Sequence, residues 1–203
     1  MDSLHRLEDI FSHFPGIGAR QARRFVYYLL NKSPSFIKEF TTLVEEVRKA
    51  TSECSLCHRL FFGKNSPALI CTTCTDTSRD DKTLMIVARD SDLETVEKSA
   101  AYQGLYFILG GVVPLLDKEP DKRIRLRSLL ERVSTSPQLT EIILSLNTTP
   151  DGEHTATIVK DALLNILAQR PVRITILGRG LSTGAELEYV DKETIRNALR
   201  NRQ

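Results

Sequence analysis

Leu84-Met85-Ile86-Val87-Ala88, followed at once by Arg89-Asp90-Ser91-Asp92-Leu93-Glu94, is the stretch on which the fold turns. An apolar run with no polar break suits a short strand buried on both faces, as inside a parallel sheet. Ser91-Asp92-Leu93-Glu94 has the spacing of a capping box and predicts a helix that opens there and runs to about Ala101. The alternation continues downstream. Tyr106–Leu109 reads as a strand, Arg123–Val133 as a helix, Glu141–Leu146 as a strand, Glu153–Gln169 as a helix and Val172–Leu177 as a strand, and Asp191–Arg200 closes as a helix. Strands alternating with helices predict an α/β fold built on a parallel sheet.

Upstream the period changes to that of helices. After a short Leu4–Phe14 segment comes the turn Phe14-Pro15-Gly16-Ile17-Gly18. Ala22, Phe25, Val26, Leu29 and Leu30 then recur at spacings of three and four, which places them on one inward stripe of a helix. Ser33-Pro34-Ser35 opens a second amphipathic helix carrying Phe36, Ile37, Phe40, Leu43, Val44 and Val47, since Pro suits a first turn.

Between the helical and α/β regions lies the cysteine segment. Cys54-x-x-Cys57 is followed, after 13 residues, by Cys71-x-x-Cys74, and these are all 4 cysteines of the chain. Each pair forms a knuckle whose two thiolates can face one tetrahedral ion at about 2.3 Å. Two knuckles fill the coordination shell and leave no position for water or substrate, so the expected role is structural, with zinc as the metal. Metal binding would contribute folding energy to a segment too small for its own core. Phe61-Phe62-Gly63-Lys64-Asn65-Ser66-Pro67 supplies turn residues for the return of the chain. Two disulfides would suit a secreted protein, and a redox pair needs only one such motif, so both are the weaker readings. His58 adjoins Cys57 and is expected at the surface, because four cysteines suffice. Asp76–Lys82 reads as a polar linker.

Composition excludes several classes. With 203 residues, 41% hydrophobic and 27% charged, the chain resembles an ordinary globular protein, and no internal repeat or low-complexity tract is visible. Met1–Arg6 lacks a basic stretch leading into an apolar run, which predicts no secretion signal. The longest apolar stretch, Leu105–Leu116, is broken by Gly110-Gly111 and Pro114 and is too short to span a bilayer, so a cytoplasmic location is expected. A net charge of +2 creates little long-range field, so any nucleic-acid contact must come from a local patch.

Such a patch follows the glycine turn. Gly16 and Gly18 let the backbone approach a phosphate, and the helix behind them offers unsatisfied N–H groups at its positive end. At 100° per residue, Arg20 and Arg24 lie opposite the apolar stripe and Arg23 on its flank. Arginines placed this way touch phosphates rather than base edges, which predicts DNA binding without sequence preference. Taken alone, the segment is equally a helical corner with solvated arginines. The four-cysteine ribbon that follows favours the DNA reading.

These features in this order resemble the RecR family of bacterial recombination mediators, over essentially the whole chain. Two later stretches carry the resemblance further. Asn147-Thr148-Thr149-Pro150-Asp151-Gly152-Glu153-His154-Thr155-Ala156 is similar to the family's Asn-Pro-Thr-x-Glu-Gly-Glu-x-Thr-Ala, and Gly184-Ala185-Glu186-Leu187-Glu188-Tyr189-Val190-Asp191 to its Gly-Gly-Glu-Leu-Glu-x-x-Asp. The resemblance implies a helix-hairpin-helix region over 1–53, a four-cysteine zinc finger over 54–76, a Toprim-like domain over 82–177 and a C-terminal interface segment over 178–203. It also implies a ring-shaped homo-oligomer that clamps DNA and works with RecO, and in some settings RecF, to load RecA onto single strands covered by single-strand-binding protein.

The enzymatic alternative is a Mg-dependent nuclease or primase of the Toprim type. Those enzymes hold Mg²⁺ with a Glu after the first strand and an Asp-x-Asp after a later one. Here the first strand runs into Ala88-Arg89-Asp90 and the later position reads Ser145-Leu146-Asn147. Asp90, Asp92, Asp151 and Glu153 remain as weak metal candidates, with helix capping an equal explanation for Asp92 and Asp151. Without clustered carboxylates, two-metal chemistry has nothing to hold its ions. Gly178-Arg179-Gly180-Leu181-Ser182-Thr183-Gly184 is glycine-rich but lacks the Gly-Lys-Ser/Thr of a phosphate loop, and reads as a turn or interface. Glu186 and Glu188 alternate and are expected on one side of an extended segment. His5, His13, His58 and His154 have no evident orienting partners, so the expectation is a protein that is not an enzyme.

Overall fold

The computed structural model describes residues 2–63, 69–117, 119 and 122–202. The turn residues Lys64-Asn65-Ser66-Pro67 lie outside the described residues. The chain divides into two compact units, Met1–Thr51 and Ser52–Gln203.

The first unit is helical, with α1 (Ser3–Ser12), α2 (Ala19–Leu30) and α3 (Pro34–Ala50). Asp2 caps α1 by accepting from the His5 N–H, and Ser33 caps α3 by accepting from Phe36, with Pro34 in the first turn. Ala22 and Val26 are fully buried, Leu29 is half-buried, and Phe25 and Leu30 are exposed, against the expectation that the whole stripe faces inward. Phe25 still meets Phe11 at 5.7 Å between ring centroids, and Phe11 meets Phe14 edge-on at 5.4 Å. The physical reason is size: so short a helical unit cannot bury every apolar side chain of two amphipathic helices.

The second unit contains a two-stranded sheet, β1 (Thr51–Glu53) and β2 (Leu60–Phe62), and the short helix α4 (Thr72–Thr75). There follow β3 (Asp80–Val87), α5 (Asp90–Ser99), β4 (Gly104–Ile108), α6 (Leu126–Ser134), β5 (Glu141–Ser145), α7 (Pro150–Leu167), β6 (Arg173–Ile176), a 3-10 turn at Leu187–Tyr189 and α8 (Lys192–Arg200). The main sheet has the order β4-β3-β5-β6, and every pairing is parallel, as the alternation of strands and helices predicts. Leu84 aligns with Leu105 on one side and Ile142 on the other.

Strand periodicity splits the core into two layers. Leu84, Ile86, Phe107, Ile142 and Leu144 pack with Leu129 and Val133 of α6 and Val159 and Leu163 of α7. Met85, Val87, Tyr106 and Ile108 face the other way, onto Leu93 of α5. β3 is central and covered on both faces, which is why its run is uninterrupted. β4 and β6 are the edges, and Ile176 of β6 is exposed.

Three helix starts differ from the sequence expectation, each for a local reason. α5 opens at Asp90, because the Asp92 carboxylate accepts from the Arg89 N–H at 2.9 Å and so occupies the third helical position; Ser91 is already inside. α6 starts at Leu126 rather than Arg123, since the Arg125 N–H is drawn to the Leu109 carbonyl at 2.8 Å. α7 starts at Pro150 rather than Glu153. Thr149 Oγ1 caps it by accepting from the Gly152 N–H at 3.2 Å. Gly152 is required there, because a Cβ would lie 2.0 Å from the Asn147 carbonyl oxygen.

A half-buried ion pair fixes α5 to β4. Arg79 binds Glu97 through both terminal nitrogens, at 2.7 and 3.1 Å, while its Nε donates to the Gly104 carbonyl at 2.9 Å. The Tyr106 hydroxyl donates to the same Glu97 carboxylate at 2.7 Å. The bonds from Arg79, more than that from Tyr106, hold the Glu97 pKa below the usual carboxylate value. A depressed folded-state value means that the stabilisation is complete above roughly pH 4.3 and is lost as pH falls through the folded value. Glu97→Gln is expected to cost about 2 kcal/mol near neutral pH, because a charge-assisted bidentate contact is weakened in a half-buried site. The difference between variant and wild type should narrow in acid. Urea unfolding at about pH 7 and about pH 3 measures both; an unchanged gap at the two values would contradict the assignment.

Candidate metal centre and nucleic-acid interface

The four cysteines converge. The Sγ atoms of Cys54, Cys57, Cys71 and Cys74 all lie within 4.8 Å of one another, and among the described residues this is the one group of three or more His, Cys, Asp or Glu side chains able to hold a metal ion. Cys57 Sγ and Cys71 Sγ are 3.6 Å apart, far beyond a disulfide bond, and all four thiols are free. Four sulfurs around a tetrahedral ion at about 2.3 Å stand about 3.8 Å from each other, so the cluster fits such an ion. The first three cysteines are buried and the fourth half-buried. Hydrogen bonding with Cys57 draws the Cys54 pKa down, and the same bond drives Cys57 up.

The backbone shapes each knuckle. The Cys54 N–H donates to the Arg59 carbonyl at 2.8 Å and the His58 N–H to the Cys54 carbonyl at 2.9 Å, with His58 in the left-handed region at φ 61°. The Cys71 N–H donates to Cys54 Sγ at 3.4 Å, tying the two knuckles together.

The expected surface position of His58 is corrected by the structure. Its side chain is only 18% exposed, its ring meets Phe107 edge-on at 5.1 Å, and its Nδ1 bonds the Glu53 carboxylate. Glu53 also faces Arg125 Nε at 3.4 Å. The cysteine segment is moreover joined to the parallel sheet. The Ile108 N–H, at the end of β4, donates to the Cys57 carbonyl at 2.9 Å, and the Leu60 N–H to Asp90 Oδ1 at 2.8 Å. Glu53, Arg125 and Asp90 therefore brace the site, and no spacing rule in the sequence singles them out for that role.

The hairpin joins α1 and α2. The Ile17 N–H donates to the Phe14 carbonyl at 3.0 Å, with Pro15 and Gly16 between them and Gly16 at φ 76°. Proline then glycine with positive φ is the pattern of a type II turn, and it makes Gly16 conformationally necessary. Gly18 precedes α2 with ordinary dihedrals and no side-chain cap. The Gln21 N–H donates to the Gly18 carbonyl at 2.9 Å, so among the described residues the Ala19 and Arg20 amides are the first-turn donors of α2 left for another acceptor. Arg20, Arg23 and Arg24 are all exposed. Arg23 Nε bonds Glu8 of α1 at 3.2 Å and Arg24 touches Gln21 at 3.4 Å, while Arg20 has no ion-pair partner among the described residues.

The four carboxylates that could have formed an acidic site are engaged separately. Asp90 accepts from Leu60, Asp92 from Arg89 and Asp151 from Leu115, and Glu153 pairs with Arg179 at 2.7 Å. Asp92 serves its own helix, but Asp151 holds the segment after β4 while Thr149 does the capping. In the glycine-rich segment the Arg179 carbonyl accepts from Asn201 Nδ2 at 2.6 Å, linking it to the end of α8. Glu186 precedes the 3-10 turn and Glu188 lies within it, so the expected extended segment is not formed. The other histidines have local roles: His5 bonds Asp2, His13 bonds the Asp9 carbonyl, and His154 is half-buried on α7.

A four-stranded parallel sheet flanked by helices, with a four-thiol cluster able to hold a metal ion against one edge strand and a separate helical hairpin unit, defines a Toprim-type α/β protein. The Toprim domain model matches residues 82–178 and the model of the RecR C-terminal region matches 180–203. Proteins named recombination protein RecR are similar over almost all of the chain. The protein of Methylobacterium nodulans is 36% identical over 98% of this chain and 94% of its own length. That of Streptococcus thermophilus is 34% identical over 98% and 96%, and that of Porphyromonas gingivalis 33% over 98% and 91%. The chain belongs to the RecR family of recombination proteins. Among its described residues no helix is long and apolar enough to cross a membrane.

Proposed function

We propose that this chain is a DNA-binding clamp of recombinational repair that performs no catalysis itself. The observation that carries this reading is the exposed arginine face of α2, with Arg20, Arg23 and Arg24 beside Gly16, Gly18 and an uncapped helix start. Exposed guanidinium groups, with the Ala19 and Arg20 amides at the start of the helix, bind phosphate oxygens of any sequence. Family membership supports the cellular role: action in the cytoplasm with RecO, and in some settings RecF, to load RecA on single-stranded DNA.

Cys54, Cys57, Cys71 and Cys74 hold one structural Zn²⁺ per chain. A largely buried set of four thiolates suits zinc, and four protein ligands leave no open position to activate water. The protein assembles as a ring-shaped homo-oligomer, with α3 supplying one contact. Phe40, Leu43, Val44 and Val47 form one stripe of that helix and are each 42–55% exposed. A continuous apolar face of this kind suits burial against the same face of a second copy.

DNA retardation over a salt series, with chromatographic mass in the same buffers, tests the reading. An oligomer is expected whose affinity falls steeply with salt, is indifferent to sequence, and is not accompanied by Mg²⁺-dependent cleavage. Leu43→Glu is expected to reduce the number of subunits while leaving helix content unchanged. A monomer without DNA affinity would overturn the proposal. Turnover of nicked or single-stranded DNA with Mg²⁺ would replace it with the nuclease or primase reading.

A further inference from the structure

α2 carries an aromatic side chain inside its arginine stripe. At 100° per residue, Arg20, Arg23, Arg24, Tyr27 and Asn31 fall within about 100° of one another, opposite the buried Ala22 and Val26. With Tyr28 these residues line a surface hollow of about 660 Å³. The two tyrosines differ. The Tyr28 ring is covered by Lys32 Nζ at 4.3 Å and meets Phe36 edge-on at 6.4 Å. Tyr27 is 52% exposed, and among the described residues its ring has no aromatic or cationic neighbour and its hydroxyl no hydrogen bond. An apolar ring left facing water between three guanidinium groups has the makeup of a stacking platform: cations track a phosphate backbone while the aromatic face receives a base.

We infer that Tyr27 stacks on an unpaired base and makes α2 a binding face for single-stranded DNA in particular. The inference rests on the DNA-binding reading above and names its substrate. Duplex DNA presents phosphates to Arg20, Arg23 and Arg24 but keeps its bases stacked on each other, so Tyr27 gains nothing from it. Every base has a π face, so stacking adds affinity without sequence preference.

The test uses the full chain with a short oligothymidylate, an abasic strand of equal length and a duplex. Tyr27→Ala is expected to weaken oligothymidylate binding about tenfold, with the salt slope unchanged because no phosphate contact is lost. Affinity for the abasic strand and the duplex should not move, nor should the chromatographic mass. The chain has no tryptophan, so Tyr27→Trp introduces a single reporter whose fluorescence should be quenched by oligothymidylate and not by the abasic strand. Equal weakening on all three ligands, an unquenched reporter, or an altered mass (the sign of an interface tyrosine) would overturn the inference. If those results appear while Arg20→Glu with Arg24→Glu still abolishes binding, only the stacking role fails. If that double variant binds normally, the DNA reading of α2 fails with it.

Discussion

Arg20→Glu combined with Arg24→Glu is expected to lower DNA affinity by at least about a hundredfold at low salt, because two phosphate contacts become two repulsions. The salt slope should fall by about 2, close to one unit for each neutralised phosphate lost. The fold should survive. Both side chains are exposed, Arg20 has no ion-pair partner among the described residues, and the Arg24 guanidinium is engaged by a single hydrogen bond, to Gln21, among those residues. Ala22 and Val26, which anchor α2, are untouched. A glutamate near the start of α2 even complements the helix dipole. Retardation assays over a salt series, paired with circular dichroism, measure both halves of the prediction. Affinity unchanged at moderate salt would refute the assignment of this face.

Cys71→Ser is expected to do larger damage, and to do it to the fold. Cys71 would contribute one of the four thiolates, and its backbone N–H, which serine keeps, donates to Cys54 Sγ, so the substitution acts through the lost thiolate. Structural zinc sites supply on the order of 10 kcal/mol of folding free energy in small domains, and a hydroxyl in place of one thiolate removes much of it. The effect should spread beyond the metal. Once the knuckle opens, the Cys57 carbonyl no longer receives the Ile108 N–H, and Phe107 loses the His58 ring. Metal analysis should find less than one ion per chain, with poor solubility and a lowered melting temperature. A soluble, metal-free Cys71→Ser protein that assembled normally would show the site to be dispensable.

How far the sequence could be read varied along the chain, for physical reasons. Periodicity marked the buried strands well, since β3 is covered on both faces and reads as one apolar run. Helix starts were less legible. Ser91 and Glu94 have the spacing of a cap, but Asp92 reached the Arg89 amide first. At α7, Pro150 and Thr149 mark the true start, and a carboxylate at Asp151 that looked like a cap instead holds the Leu115 N–H. The stripe on α2 divided, with Ala22 and Val26 buried and Phe25 and Leu30 exposed, because periodicity names a face without saying whether anything covers it.

The sequence by itself determined the α/β alternation, the four-thiol set and the arginine face, all of which rest on local spacing: two, three or four residues set which side chains point the same way. The tertiary structure alone decided what those sets meet. Strand order joined the end of β4 to the cysteine knuckle, bringing Ile108 to Cys57, Phe107 to His58 and Asp90 to Leu60. It also sent Asp90, Asp151 and Glu153 to three distant partners, Leu60, Leu115 and Arg179. Contacts between residues far apart in the chain depend on how strands are ordered and how backbone N–H groups find acceptors, and no local pattern encodes that.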